Sequence, residues 1–235
     1  DTFLTLEQLG ARIPPYQPTY DFPGPHIDEA HAALARSPVK DGFLIQRRDA
    51  RWLGQIIPGW LRREDGLKLY ELGYFTEGDI LELGSYHGLS TSILSEANQR
   101  APRRKQLVSV DLDPIAVRAA RFHLWRAGLA QHVRVEQREA LAALRALAGE
   151  GRQMTFVFVD HSHAYQPVYD VCRELPSILA PGGFCLFHDF NDPRNRDAAN
   201  RDYGVYQAVT GGLDPAEFEF YGCYGVTALY RRRPA

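Results

Sequence analysis

From residue 61 onward, short apolar runs alternate with longer stretches whose apolar residues recur every third or fourth position. Those are the patterns of buried strands and amphipathic helices. The pattern predicts a helix over 64–72, a strand over 80–83, and a helix over 88–97 that puts Leu89, Ile93 and Ala97 on one face. A strand over 106–110 closes at Asp111, and Asp113-Pro114 opens the next helix, Asp as cap and Pro at its first position. Ile115, Ala119 and Phe122 give that helix its apolar stripe. A strand over 133–136, a helix over 139–148 and a strand over 154–159 closing at Asp160 follow.

The next helix, over 166–179, is expected to kink at Pro176. Pro181-Gly182-Gly183 reads as a turn before a strand over 184–187 that closes at His188-Asp189. The polar loop 191–201 reads as mobile or folded over a ligand, and a helix over 203–209 follows it. Two last strands, 217–221 and 226–230, are joined through Gly222 to Gly225, short enough for a hairpin. Strands interleaved with helices argue for an α/β fold: a doubly wound, mostly parallel sheet with a C-terminal antiparallel hairpin.

Residues 1–60 read differently. Pro14, Pro15, Pro18, Pro23 and Pro25 break any long element, a short helix over 28–36 is capped by Asp28, and the segment ends in Trp52-Leu-Gly-Gln-Ile-Ile-Pro-Gly-Trp60. A lid, an oligomer arm and a surface wrapping fit this N-terminal extension equally; residues 61–235 form the main domain.

In such a sheet, ligands sit at the carboxyl ends of the strands. Here those ends carry Glu82, Asp111, Glu136 to Glu139, Asp160, and His188 with Asp189. Asp79-Ile-Leu-Glu-Leu-Gly-Ser-Tyr-His-Gly-Leu-Ser-Thr91 reads as strand, glycine turn and helix start, which bring backbone N–H groups up to a small polar ligand. Glu82, two residues before the first glycine, would repel a phosphate. The turn therefore suits a ligand with a cationic end, S-adenosylmethionine and not a dinucleotide; the missing G-x-G-x-x-G agrees. Asp111 is placed to accept both ribose hydroxyls. Glu139 either reaches the adenine amine or serves as a first-turn acid favoured by the helix dipole.

Asp160-His-Ser-His-Ala-Tyr165 and His188-Asp189 close neighbouring strands. Two uses are open: a divalent cation such as Mg2+ that holds and acidifies a substrate hydroxyl, or a histidine as general base. His163, His188, Asp160 and Asp189 are read as functional, and His161 as part of a polar cluster that shapes the loops. Tyr165, Tyr203, Tyr206 and the two N-terminal tryptophans, Trp52 and Trp60, are candidates for an apolar acceptor pocket or for ordinary core.

Trp60-Leu-Arg-Arg-Glu-Asp-Gly-Leu-Lys-Leu-Tyr70, Ile80 to Thr91, and Val108-Ser-Val-Asp-Leu-Asp113 resemble class I S-adenosylmethionine-dependent methyltransferases. Phe158-Val-Asp-His-Ser-His-Ala-Tyr165 and Leu179-Ala-Pro-Gly-Gly-Phe-Cys-Leu-Phe-His-Asp189 are similar to the paired signatures of bacterial methyltransferase family 24. The resemblance covers residues 58 to 231. It implies a seven-stranded sheet with the last strand antiparallel. Glu82, Gly84 and Ser85 would lie by the methionine end, with Tyr86, Gly88, Ser90 and Thr91 along the same turn and helix start. Asp111 would lie on the ribose, and Leu112, Arg138, Glu139 and Asp160 would also belong to the cofactor site. Asp160, His163, His188 and Asp189 would line the reaction site. Related metal-dependent O-methyltransferases imply Asp160 and Asp189 as the metal carboxylates. The chain departs from the pattern at Tyr86, where class I turns usually have glycine, and at Ser162, which replaces a second acid and removes a ligand.

The expected function is O-methylation of a small-molecule hydroxyl, assisted or not by a divalent metal. The alternative is a non-catalytic methyltransferase-like protein that binds a nucleoside or a partner subunit. Formal net charge is -2, so no global field recruits nucleic acid or an anionic membrane, and a homodimer stays open. Three cysteines (Cys172, Cys185, Cys223) lie far apart with no CxxC spacing. They read as small buried hydrophobes of a reducing compartment. With no bilayer-length apolar run and no signal peptide, a cytoplasmic location is expected.

Overall fold

The computed structural model describes residues 39–40, 43–46, 57–197 and 199–234; for 39–40, 43–46 and Arg63 it describes the backbone alone. The predicted helix over 28–36, the proline cluster and Trp52 lie outside these residues. Strands β1 (Val39–Lys40), β2 (Phe43–Gln46) and β3 (Ile57–Leu61) form a small antiparallel sheet. Helix α1 (Arg63–Phe75) leads to β4 (Asp79–Leu83), α2 (Leu89–Arg100), β5 (Leu107–Asp111) and α3 (Pro114–Arg126). Then come β6 (Arg134–Gln137), α4 (Ala140–Gly149), β7 (Met154–Val159), α5 (Tyr165–Glu174) and β8 (Leu179–Phe187). Helix α6 (Val205–Gly212) and the hairpin β9 (Phe218–Tyr224) and β10 (Thr227–Arg232) close the chain.

The main sheet has seven strands in the order β6-β5-β4-β7-β8-β10-β9. β6 to β8 pair in parallel, and β10 runs antiparallel to both β8 and β9. Strand alternation divides the core between the two faces. Ile80, Phe156 and Phe158 pack with Leu69, Leu72, Ile93 and Leu94 from α1 and α2. Leu81, Leu83, Val157 and Val159 pack with Leu144, Val168, Val171 and Ala208 from α4, α5 and α6. A strand buried on both faces is apolar at most positions, which is why β4, β5 and β7 read as near-continuous apolar runs, broken at a fully buried position by Ser109 in β5. Glu82 is the exception among the buried positions of β4. None of the helices among the described residues is long and apolar enough to cross a membrane.

Four local readings are corrected. The apolar stripe of α3 faces the other way: Ala116, Val117, Ala120 and Leu124 are buried, while Ile115 is 63% and Phe122 50% exposed. The reason is close approach, since a Cβ at Gly88 would lie 3.2 Å from that of Ala120, a spacing only small residues allow. The helix expected over 166–179 ends at Glu174, and Pro176 sits in a separate 3-10 turn, Leu175–Ser177. Pro181-Gly182-Gly183 lies inside β8, not before it. Met154 pairs with Leu179 and Phe156 with Phe184, so β8 carries extra residues in a bulge, helped by Gly182 at φ 80°. Finally, β9 runs on through Gly222, and the hairpin turns at Gly225-Val226, with Gly225 at φ 60° and Tyr224 paired to Thr227.

Candidate active site

The carboxyl ends of β4, β5, β7 and β8 open into a cleft of about 780 Å³. Its cofactor-sized side is the turn after β4. Gly84 has φ 99°, and a Cβ there would collide with the carbonyl of Asp160. Its N–H donates to the Val110 carbonyl at 2.8 Å. Gly88, at φ 90°, caps α2 without a side chain. Tyr86 adopts φ 42°, left-handed for a residue with a Cβ, and its N–H donates to Oδ2 of Asp111 at 2.7 Å. That bond helps hold the strained turn. Oδ1 of Asp111 accepts the Asp113 N–H at 2.9 Å, and each oxygen keeps a second lone pair for a ligand. The Ser85 hydroxyl is buried, lines the cleft and has no hydrogen-bond partner.

Of the residues expected at the cofactor, Gly84, Ser85, Tyr86, Ser90, Asp111 and Asp160 line the cleft. Glu82 does not. It lies fully buried beneath the turn, where Oε2 accepts the hydroxyls of Thr91 and Ser109, both at 2.5 Å, and Oε1 has no partner. Burial pushes its carboxyl up to about 7. Thr91 and Gly88 likewise sit behind the cleft wall. Leu112 is 66% exposed beyond Asp111. Glu139 caps α4, its two oxygens accepting the N–H groups of Leu141 and Ala142 at 2.9 and 2.7 Å, the capping use weighed against adenine contact. Arg138 lies 3.7 Å from Glu136.

At the other side of the cleft, β7 and β8 bring Asp160, His163, His188 and Asp189 together. His163 Nε2 is 3.0 Å from Asp189 Oδ2. His188, fully enclosed, places Nδ1 3.1 Å from Asp160 Oδ1 and 3.5 Å from Asp189 Oδ2, and Nε2 3.9 Å from Asp65 Oδ2. Burial alone would discharge this ring, but Asp160 and Asp189 outweigh it and hold its pKa well above the ordinary value. Burial also opposes the charge of Asp189, yet His188 and the His163 bond carry it far below the usual carboxylate range. The same bond raises His163, against a smaller effect of burial. Asp189 itself is left-handed, φ 55°. Donor atoms of Asp160, His163 and Asp189 lie within 4.8 Å of one another, so the set fits a divalent cation.

Residues 81–190 match the family model described as a methyltransferase domain. The matched segment, just under half of the chain, resembles class I, S-adenosylmethionine-dependent methyltransferases. The fold agrees. An O-methyltransferase from Bacillus cereus, solved in complex with SAH, superposes with a TM-score of 0.58 over 97% of this chain and 96% of that one, at 15% identity. The O-methyltransferase TomG from Streptomyces achromogenes, solved with SAM and involved in tomaymycin synthesis, gives 0.59 over 88% and 89%, at 19% identity. Uncharacterized protein R132 of Acanthamoeba polyphaga mimivirus is 25% identical over 157 residues, which are 61% of this chain and 66% of that protein, just under two thirds of it.

The cleft also holds residues that the sequence left open between pocket and core, and two, Asp192 and Arg194, that it did not single out. Trp60, 59% exposed on β3, stands 5.2 Å from the Tyr86 ring at the cleft mouth. Tyr203 stacks on His163, centroids 4.7 Å apart and planes 9° apart, and the Arg194 guanidinium lies 3.9 Å over Tyr203. Arg194 grips both oxygens of Asp192 at 2.8 Å. Burial, then Asp189, push the Tyr203 phenol up to about 12, so it stays neutral. His161, read as a loop-shaping residue, lines the cleft with both ring nitrogens buried and unpartnered, and burial lowers its pKa. Tyr165 and Tyr206 do not line the cleft. The loop 191–201, read as mobile or folded over a ligand, brings Asp192 and Arg194 to the cleft, though nothing in its sequence singles out those two residues.

Proposed function

We propose that this domain transfers the methyl group of S-adenosylmethionine to a hydroxyl of a small molecule, with His163 as the base. The carrying observation is a half-exposed imidazole, hydrogen-bonded to a buried carboxylate, facing the same cleft as the glycine turn and Asp111. The residues present fit the cofactor: a turn whose glycine leaves no room for a Cβ, an unpartnered Ser85 hydroxyl, and an Asp111 carboxylate with spare lone pairs. When bound, S-adenosylmethionine supplies an electrophilic methyl on a good leaving group.

The protein then has to orient the acceptor, exclude water and take one proton. Asp189 accepts the Nε2–H of His163, which fixes the ring and its tautomer and favours its protonated form, so Nδ1 is the nitrogen left to receive the hydroxyl proton. Tyr203 and Arg194 lock the plane of that ring. Trp60 and Tyr86 form an aromatic lip suited to a flat or apolar acceptor. Should a divalent cation bind, Asp160, His163 and Asp189 would hold it, and it would acidify and orient the acceptor hydroxyl. Transfer of labelled methyl from S-adenosylmethionine to a panel of hydroxyl compounds tests the reading. Labelled product supports it; cofactor binding with no transfer to any acceptor favours a non-catalytic binding protein.

A further inference from the structure

Asp65, in the first turn of α1, takes no part in the chemistry above, yet it is fully buried and directed at the site. Its Oδ1 accepts the N–H groups of Val226 and Thr227 at 3.0 and 3.2 Å, in the β9–β10 turn. Its Oδ2 accepts the Arg62 N–H at 2.7 Å and faces His188 Nε2 at 3.9 Å. We infer that Asp65 is a positioning residue, which holds the His188 ring in place between Asp160 and Asp189 from the side away from the cleft.

The argument is geometric. Nε2 of His188 has no hydrogen-bond partner, and Nδ1 is shared between Asp160 at 3.1 Å and Asp189 at 3.5 Å, so no single directional bond fixes the ring. Its orientation rests on packing, with Phe158 edge-on at 6.4 Å and 74°, and on carboxylates at both ends of the ring. Asp160 and Asp189 lie on one side, Asp65 on the other. Without the rear carboxylate, attraction is one-sided and the ring is drawn toward the cleft. Asp189 then shifts, and with it the bond that orients His163. The plainer role of Asp65, the acid of a capping box on α1 and a clip for the hairpin turn, explains its bonds to backbone amides. It does not explain why Oδ2 faces the imidazole.

Three variants separate the roles. Asp65→Asn keeps the shape and removes the charge. Gly225→Ala pushes a methyl group onto Oδ1 of Asp65 and leaves the charge. Thr227→Val removes the Oγ1 bond to the Tyr224 carbonyl, 2.7 Å, and so weakens the same turn without touching the carboxylate. Crystal structures, S-adenosylhomocysteine affinity, kcat and melting temperature are measured for each. In Asp65→Asn and Gly225→Ala the His188 ring is expected to move by about 1 Å, and kcat to fall roughly tenfold to 100-fold with KM for S-adenosylmethionine unchanged. Thr227→Val is expected to lower the melting temperature alone. A ring that stays in place in either folded charge or displacement variant, or one that moves as far in Thr227→Val, overturns the inference. If Asp65→Asn does not fold, Gly225→Ala decides. Only the kinetic arm rests on the methyltransferase reading; if the parent protein transfers no methyl group, ring position decides, while ligand affinity reports on that reading separately.

Discussion

Nε2 of His163 lies 3.0 Å from Oδ2 of Asp189, one side chain 45% exposed to the cleft and the other 6%. The pair joins two loops that are distant in sequence, those after β7 and β8. It places a proton acceptor at the cleft surface and its orienting charge out of reach of water. An exposed pair of the same geometry would contribute little, because water would screen it; here the carboxylate is buried and charged.

Asp189→Asn is expected to lower methyl transfer by roughly 100-fold while leaving S-adenosylhomocysteine affinity unchanged. The pH dependence should move as well. The base must be neutral to act, so the rate rises with pH through the His163 pKa. The Asp189 bond raises that pKa. Removing it shifts the rising limb to lower pH even as the plateau falls. A rate–pH profile of both proteins checks this.

Glu82 gives a stability prediction of definite sign. Its ordinary pKa is 4.5 and burial raises it to about 7 in the folded protein. Below about 4.5 both states are protonated and the group is neutral to stability. Between about 4.5 and 7 the unfolded chain loses its proton while the folded one keeps it, so stability falls by up to about 1.4 kcal/mol per pH unit. Glu82→Gln lacks this slope. Denaturant titrations of the ligand-free proteins at several pH values are expected to show the variant gaining on the parent as pH rises through that window.

Gly84→Ala is expected to abolish cofactor binding. The new methyl group would strike the Asp160 carbonyl, and the residue would have to hold φ 99°. Either the turn or the end of β7 must move. Calorimetry with S-adenosylhomocysteine checks this. Normal affinity would mean that the turn does not hold the cofactor.

Chelation separates the two ways of deprotonating the acceptor. With His163 as base, turnover is expected to persist after EDTA treatment and gel filtration. Loss of turnover, restored by Mg2+ or Mn2+, would instead assign Asp160, His163 and Asp189 to a metal.

The order of strands and helices was legible because period and length are local properties. So was the line of polar residues at the strand ends, since a charged residue closing an apolar run has few places to go. Reading which face of α3 is buried requires knowing that Gly88 leaves room only for Ala120. The bulge in β8 requires the pairing partner. Glu82 looked like a cofactor contact because it stands two residues before the first glycine of the turn. Three dimensions add Thr91 and Ser109, which claim its Oε2 from below. Asp65 was hidden for a similar reason: a first-turn acid is ordinary in a helix, and its meeting with His188 spans more than a hundred residues.

The most direct test is calorimetric titration of the whole chain with S-adenosylmethionine. Saturable binding of one molecule per chain, with micromolar affinity, is the expected result. No heat at high micromolar ligand would contradict the assignment of this cleft to the cofactor, and with it the proposed methyl transfer.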